Sequence, residues 1–155
     1  MKELLEYREK MIERLKQAAD EFCIACKQVP DAYATLPGSE WNVHQIASHL
    51  HNAHGQVHDL RARRTVAEDN PIFQNYDAEA WMAKHYDDRK PLDSILDGFN
   101  AQVSSFVEWL QLLPVEAWSR ESQHETLGSG FTTQIWVERA LAHIEEHLDT
   151  VRKTA

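Results

Sequence analysis

The sequence is short of the residues that break or cross-link a chain: two cysteines, five glycines and five prolines in 155 residues. Two cysteines cannot build a disulfide framework, so the expected compartment is the reducing cytoplasm. No apolar run approaches the roughly 20 residues that a membrane span needs. The opening residues, Met1 to Lys10, lack the apolar stretch of a secretory signal. Cationic side chains are scarce as well: 16 Lys and Arg against 25 Asp and Glu leave a formal net charge of −9. A field of that sign repels phosphates, which argues against duplex DNA or RNA as a partner and against an anionic membrane surface. What is present in quantity is apolar residue, 43% of the chain, and histidine, nine copies. The first is enough for one domain over residues 1–155.

Helical periodicity dominates. From about residue 2 to 29, Leu4, Met11, Leu15, Ala18, Phe22, Ala25 and Val29 recur at three- and four-residue steps, with Arg8 filling one slot. Pro30 and Pro37-Gly38 end that segment. A second helix is expected from an N-cap at Ser39 to about Arg64, with Val43, Ile46, Leu50, Ala53, Val57 and Leu60 as its stripe and Gly55 as a weak point. Glu68 to Lys90 is mixed: Asn70-Pro71 marks a turn, and Asp77 caps a short helix with Trp81 and Met82. Pro91 opens a third long helix, with Leu92, Leu96, Phe99, Val103, Phe106, Leu110 and Leu113 in line, and Pro114 stops it. Residues 115–131 read as an irregular loop with a short extended piece. Thr132 or Thr133 caps a fourth helix carrying Val137, Leu141, Ile144, Leu148 and Val151. Four amphipathic helices bury their seams only against one another, so the expected fold class is all-α, a four-helix bundle.

The histidines are then sorted by face. His143 and His147 are four apart and share a face that adjoins the last helix's seam, the spacing that lets two imidazoles meet one ion. The same spacing also occurs in pairs of surface histidines. His49 directly precedes the seam residue Leu50 and is the third candidate ligand. His44, His51 and His58 fall on outward positions and read as solvated; His54, on the other flank, is an interior or supporting group. Three imidazoles leave positions open on an ion, the arrangement of catalytic rather than structural sites. His143-Ile144-Glu145-Glu146-His147 also fits the inverted zinc-peptidase pattern. That pattern needs an acidic ligand well downstream, and only eight residues follow His147. Glu146 reads as a solvated carboxylate, with outer-water binding or action as a base as the alternatives.

Cys23-x-x-Cys26 lies near a helix C-terminus, where the dipole raises rather than lowers thiol pKa, and reads as packing. Trp41, Tyr76, Trp81 and Phe131 come from loops and helix ends and plug the end of the core. Trp136 shares the face of His143 and His147 and is the candidate substrate-binding residue. Arg61, Arg63 and Arg64 suit the C-terminus of the second helix as capping cations.

Three stretches carry a resemblance: Ser39-Glu-Trp41-Asn-Val-His-Gln-Ile-Ala-Ser-His49-Leu50; Glu68-Asp-Asn-Pro71 with Asn75-Tyr-Asp77 and Trp81; and Ala142-His143-Ile-Glu-Glu-His147-Leu148. In this order and spacing the chain resembles the DinB/YfiT-like superfamily of metalloenzymes over about residues 36–153. The resemblance implies a bundle with up-down-down-up connection and a divalent metal, zinc or nickel, held by His49, His143 and His147. It also implies a small-molecule substrate, with members that are S-transferases using a low-molecular-weight thiol such as bacillithiol or mycothiol and others that are metal-dependent hydrolases. No thiol-binding motif is matched residue by residue, so water and thiol both stand as nucleophile. The alternative is a non-catalytic metal- or ligand-binding bundle, and the acidic helical surface permits a homodimer.

Overall fold

Each amphipathic segment becomes a helix in the computed structural model, which describes residues 1–153. α1 spans Lys2–Gln28 and buries Met11, Leu15, Ala18, Phe22 and Ala25 as its stripe requires. Arg8, in the same stripe, is buried too. Its guanidinium lies 5.1 Å from the Trp118 ring and its Nε donates to Gln134 at 2.8 Å. α2, Val43–Ala53, starts at Asn42 and not at Ser39. Asn42 and Gln45 form a reciprocal capping box, which satisfies two backbone donors that a serine cap would leave half met. Ser39 instead closes a turn on Trp41. A π-helical turn, His54–Asp59, joins α2 to α3, Leu60–Ala67. α4 is Ala78–His85, capped by Asp77; α5 is Leu92–Gln111; α6 is Thr133–Arg152, capped by Thr132.

α1 packs against α5 and α6, and the α2–α3 unit packs against the other sides of the same two helices. Phe22, Leu50, Phe99, Phe106 and Ile144 meet in the middle, each at most 1% exposed. Every such side chain contributes about 1.5–3 kcal/mol relative to remaining in water. Cross-helix pairs report direction. Tyr7–Glu138, Arg14–Glu145 and Glu21–Arg152 step forward together along α1 and α6. Cys23–Leu96 and Lys16–Asn100 step oppositely along α1 and α5. No helix among the described residues is long and apolar enough to cross a membrane.

The all-α expectation needs one correction. Residues 115–131 are not an irregular loop: a 3₁₀ turn at Val115–Ser119 leads into β2, Glu121–His124, and β3, Gly128–Thr132, with β1 being Ile72–Phe73. β2 pairs parallel with β1 and antiparallel with β3. The reason is a polar anchor inside an apolar lid. Ser122 is fully buried; its hydroxyl donates to the Phe131 carbonyl and accepts the Trp136 indole N–H, both at 2.8 Å. Phe131 stacks on Trp136 at 4.9 Å and Phe73 meets it edge-on at 5.6 Å. The sheet thus closes the part of the bundle where α6 begins.

The second correction concerns α2–α3. A π turn holds about one residue more than an α turn, so every side chain beyond it is rotated. Leu60, expected in the seam, is 43% exposed, whereas Arg61 is 9% and Ala62 0% exposed. The same rotation carries His58 inward. We therefore expect Leu60→Gln to change stability by no more than about 0.5 kcal/mol. Ala62→Gln, which buries an amide, costs about 2 kcal/mol or more. Urea denaturation of the two variants measures this; an uninterrupted α-helix requires the opposite order.

Candidate metal centre

α2 and α6 are the elements that hold the site. His49 leaves α2 at 7% exposure, its ring 4.9 Å from that of Trp41. His143 and His147 leave α6 one turn apart. Their Nε2 atoms converge: His49 to His143 is 3.0 Å and His147 to His143 is 3.1 Å. All three ligand atoms lie within 4.8 Å of one another. An ion about 2.0–2.1 Å from each of several imidazole nitrogens sets those nitrogens roughly 3 Å apart, so the donor set fits a divalent cation. The chemistry of the donors agrees. His143 Nε2 has one site for a proton or a lone-pair contact but two imidazole nitrogens beside it, and a shared cation satisfies all three rings.

Protonation favours the same state. Burial lowers the His49 pKa to about 4, with His147 adding to the effect. Burial, then the neighbouring His58, His147, His49 and His54, lowers His143 to about 2. Burial lowers His147 as well, against an opposing pull from Glu146. All three rings are therefore uncharged near neutral pH, the form that ligates metal.

His44, His51 and His58 depart from their expected outward places, whereas His54 is interior as expected. His44 is not solvated: it is fully buried, stacks on Tyr33 at 4.7 Å, bonds the Tyr86 hydroxyl and donates to the Lys90 carbonyl at 2.7 Å. It ties α2 to the segment that precedes α5. His51 is half-buried against Gly98, where a Cβ would stand 2.5 Å from its Cε1, so any side chain at that position would displace the His51 ring. His58 is turned in by the π turn, its ring 4.9 Å from that of His143. Burial, His54 and nearby cations including Arg61 and Arg139 lower its pKa to about 3. His54 lies between Phe99 and Phe106, 1% exposed, with both ring nitrogens unpaired.

Trp136 shares the helix with the ligands, but at 1% exposure it supports the hairpin and offers no surface to a substrate. Arg61 does not cap a helix end: it is buried, donates to the Gln74 carbonyl at 2.7 Å and lies 5.0 Å from the Trp136 ring. Only Arg63, with Asp59, and Arg64, with Glu68, form helix-surface pairs. Beside His147 lies a cavity of about 300 Å³ whose lining also includes Trp41, Ile46, Glu40, Glu79 and Glu146. None of these three glutamates makes an ion pair with a described residue. The sequence reading missed the inward places of His58 and Arg61 and, of the three glutamates, named only Glu146. Gly55 inside a helical run was the one local signal of the π turn.

Fold and cluster together define a class: a four-helix bundle with a three-histidine cluster between two of its helices. Among solved structures the chain matches YfiT from Bacillus subtilis, described as a probable metal-dependent hydrolase with an unusual four-helix bundle topology. The TM-score is 0.86 at 18% sequence identity, over 96% of this chain and 86% of that one. At that identity the likeness establishes the fold. No family model and no curated protein matches the chain.

His54 yields a pH prediction. Burial, then His51 and Arg63, lowers its pKa from 6.5 to about 4. Between those values the unfolded chain holds more protons than the folded one. Its contribution to stability is therefore complete above pH 6.5 and drains as pH falls toward 4. We expect His54→Phe to lose less stability than the parent between about pH 7.5 and pH 5, measured by urea midpoints. Equal losses would show that His54 takes no part in the acid response.

Proposed function

We propose that the protein is a metal-dependent enzyme that activates water, or a low-molecular-weight thiol, for attack on a small electrophilic substrate. The observation that carries this reading is the convergence of three uncharged imidazoles, from two helices, on one point beside a cavity. The description of YfiT as a probable metal-dependent hydrolase supports the water branch. His49, His143 and His147 would hold the ion, of zinc or nickel type. Held there, a divalent ion supplies Lewis acidity that lets water or a thiol lose its proton near neutral pH.

The chain's own residues do the rest. Trp41 covers the flank of His49 and keeps solvent from it. Glu146 and Glu79 line the cavity that His147 faces and are the carboxylates available to take up a released proton. The protein's own thiols are not the nucleophile. Cys26 is fully buried, Cys23 donates to the Leu96 carbonyl, and burial raises both pKa values. A thiol must therefore enter from solution. Three unpaired carboxylates around the entrance favour a neutral or cationic substrate over an anionic one. We also infer the up-down-down-up connection, which the in-step pairs of α1 with α6 and the opposed pairs of α1 with α5 support.

Two measurements test the reading. The purified protein should bind one divalent ion per chain, and His49→Ala should lower ester hydrolysis or thiol conjugation by roughly two orders of magnitude or more while the chain stays folded. Activity should vanish with a chelator and return with zinc or nickel. An ion-loaded protein that turns over neither substrate class is a binding bundle, not an enzyme. In the second measurement, ammonium-bearing substrates should exceed carboxylate-bearing analogues in kcat/KM by roughly threefold to tenfold, and Glu79→Gln should narrow the gap. An anionic preference would refute the role given to the carboxylates.

A further inference from the structure

Most of the buried side-chain polar atoms without a partner lie together, Nη1 of Arg8 and Oγ1 of Thr133 being the two that lie elsewhere. Beside the π turn lie Nδ1 of His51, both ring nitrogens of His54, Nδ1 of His58, Oε1 of Gln102 and Nδ1 of His143. Buried polar groups in folded proteins are almost always paired, so such a concentration calls for a cause. Two members of this group are neighbouring rings. The centroids of His58 and His143 are 4.9 Å apart with the planes tilted by 42°, and both Nδ1 atoms are buried and unpaired. His143 uses its other nitrogen, Nε2, toward His49 and His147.

A neutral imidazole carries one proton. If Nε2 of His143 ligates an ion, the proton is on Nδ1, and that N–H is then a donor in a site without bulk water. Metal-ligating histidines as a rule give that second N–H to an acceptor, which fixes the tautomer and the ring's orientation. No carboxylate or backbone carbonyl takes this part for His143 among the described residues. His58 stands beside it with an unpaired nitrogen, and it stands there only because the π turn rotates it out of the solvent-facing position that α-helical spacing predicts. Single π turns recur at functional sites, where they re-aim a side chain at the cost of regular hydrogen bonding.

We propose that His58 is a positioning residue for the ion ligand His143, accepting its Nδ1–H directly or through one bridging water, and that the π turn at residues 54–59 serves to deliver it. The proposal rests on the metal-site reading above and extends it to a fourth histidine that itself binds no ion.

The test is metal affinity, read by competition with a chromophoric chelator, using zinc and cobalt(II) as probes on the full chain. His58→Phe keeps a ring and removes the acceptor. It should weaken binding by roughly tenfold to a hundredfold, change the cobalt d–d spectrum, and leave thermal stability of the ion-free protein equal or higher. His58→Gln, which restores an acceptor, should recover part of the loss. In the zinc-loaded parent, a long-range proton–nitrogen spectrum should show the His143 Nδ1–H protected from solvent exchange, and this reports even if His58→Phe fails to fold. Affinity within threefold of the parent in His58→Phe, or a freely exchanging His143 Nδ1–H in the zinc form, overturns the proposal while the metal site stands. A parent protein that binds neither probe overturns the metal-site reading and this proposal together.

Discussion

Three uncharged imidazoles, two of them with nitrogens about 3 Å from the third, are the constraint around which the rest of the molecule is organised. Such an arrangement is costly in an apolar bundle, because each ring nitrogen taken from water needs a partner. Charging the rings does not relieve it, since imidazolium ions at that spacing repel one another, and burial already opposes the charged form. An acceptor of lone pairs common to all three would resolve the conflict. The bundle must also hold α2 and α6 in a register that brings His49 level with the turn between His143 and His147. The well-formed Asn42 capping box at one end of α2 and the Thr132 cap of α6 fix where both helices start, and hence where these rings fall.

The irregular parts of the fold serve the same register. The π turn would be an expense without return in a plain bundle, because it spoils a seam that the sequence could have continued through Leu60. Here it exchanges Leu60 for Arg61 and Ala62 and brings His58 against His143. Arg61 then needs somewhere to place a buried guanidinium. β1 and α6 supply it: Gln74, just after β1, offers a carbonyl, while Phe73 and Trp136 offer ring faces. Ser122 anchors Trp136 in turn. The small sheet is therefore the compensation for the π turn rather than an ornament on a helical protein.

This explains which features were legible in the sequence. Helix existence was readable because four stripes of apolar residues follow one period over about four turns or more. His49, His143 and His147 were readable because each adjoins a seam residue within a regular stretch of helix, upstream of any irregularity. His58 was unreadable because its face depends on a π turn, and the period that makes helices visible assumes no such turn. His44 failed for a different reason: its burial comes from Tyr86 and Lys90, more than forty residues away, and a local period cannot report what folds over it. The hairpin was hidden because the Ser122 hydroxyl anchors it between the Phe131 carbonyl and the Trp136 indole N–H, with no alternating apolar pattern along the strands.

Charge is distributed unevenly around the centre, and this bears on the chemistry more than the net value of −9 does. On the His147 side three unpaired carboxylates line the cavity; on the His58 side Arg61 and Arg139 lie near the aromatic cluster of the sheet. A divalent ion between them would be approached from its anionic side. Carboxylates within about one Debye length attract cations and take up protons, yet are kept from the ion itself by the three imidazoles. A nucleophile that must shed a proton on activation gains from such neighbours, whereas a substrate carrying carboxylates is turned away. On the proposed reading, the fold would separate two tasks that compete for the same atoms: neutral nitrogens to hold an ion, and anionic oxygens at a distance to receive what a reaction releases.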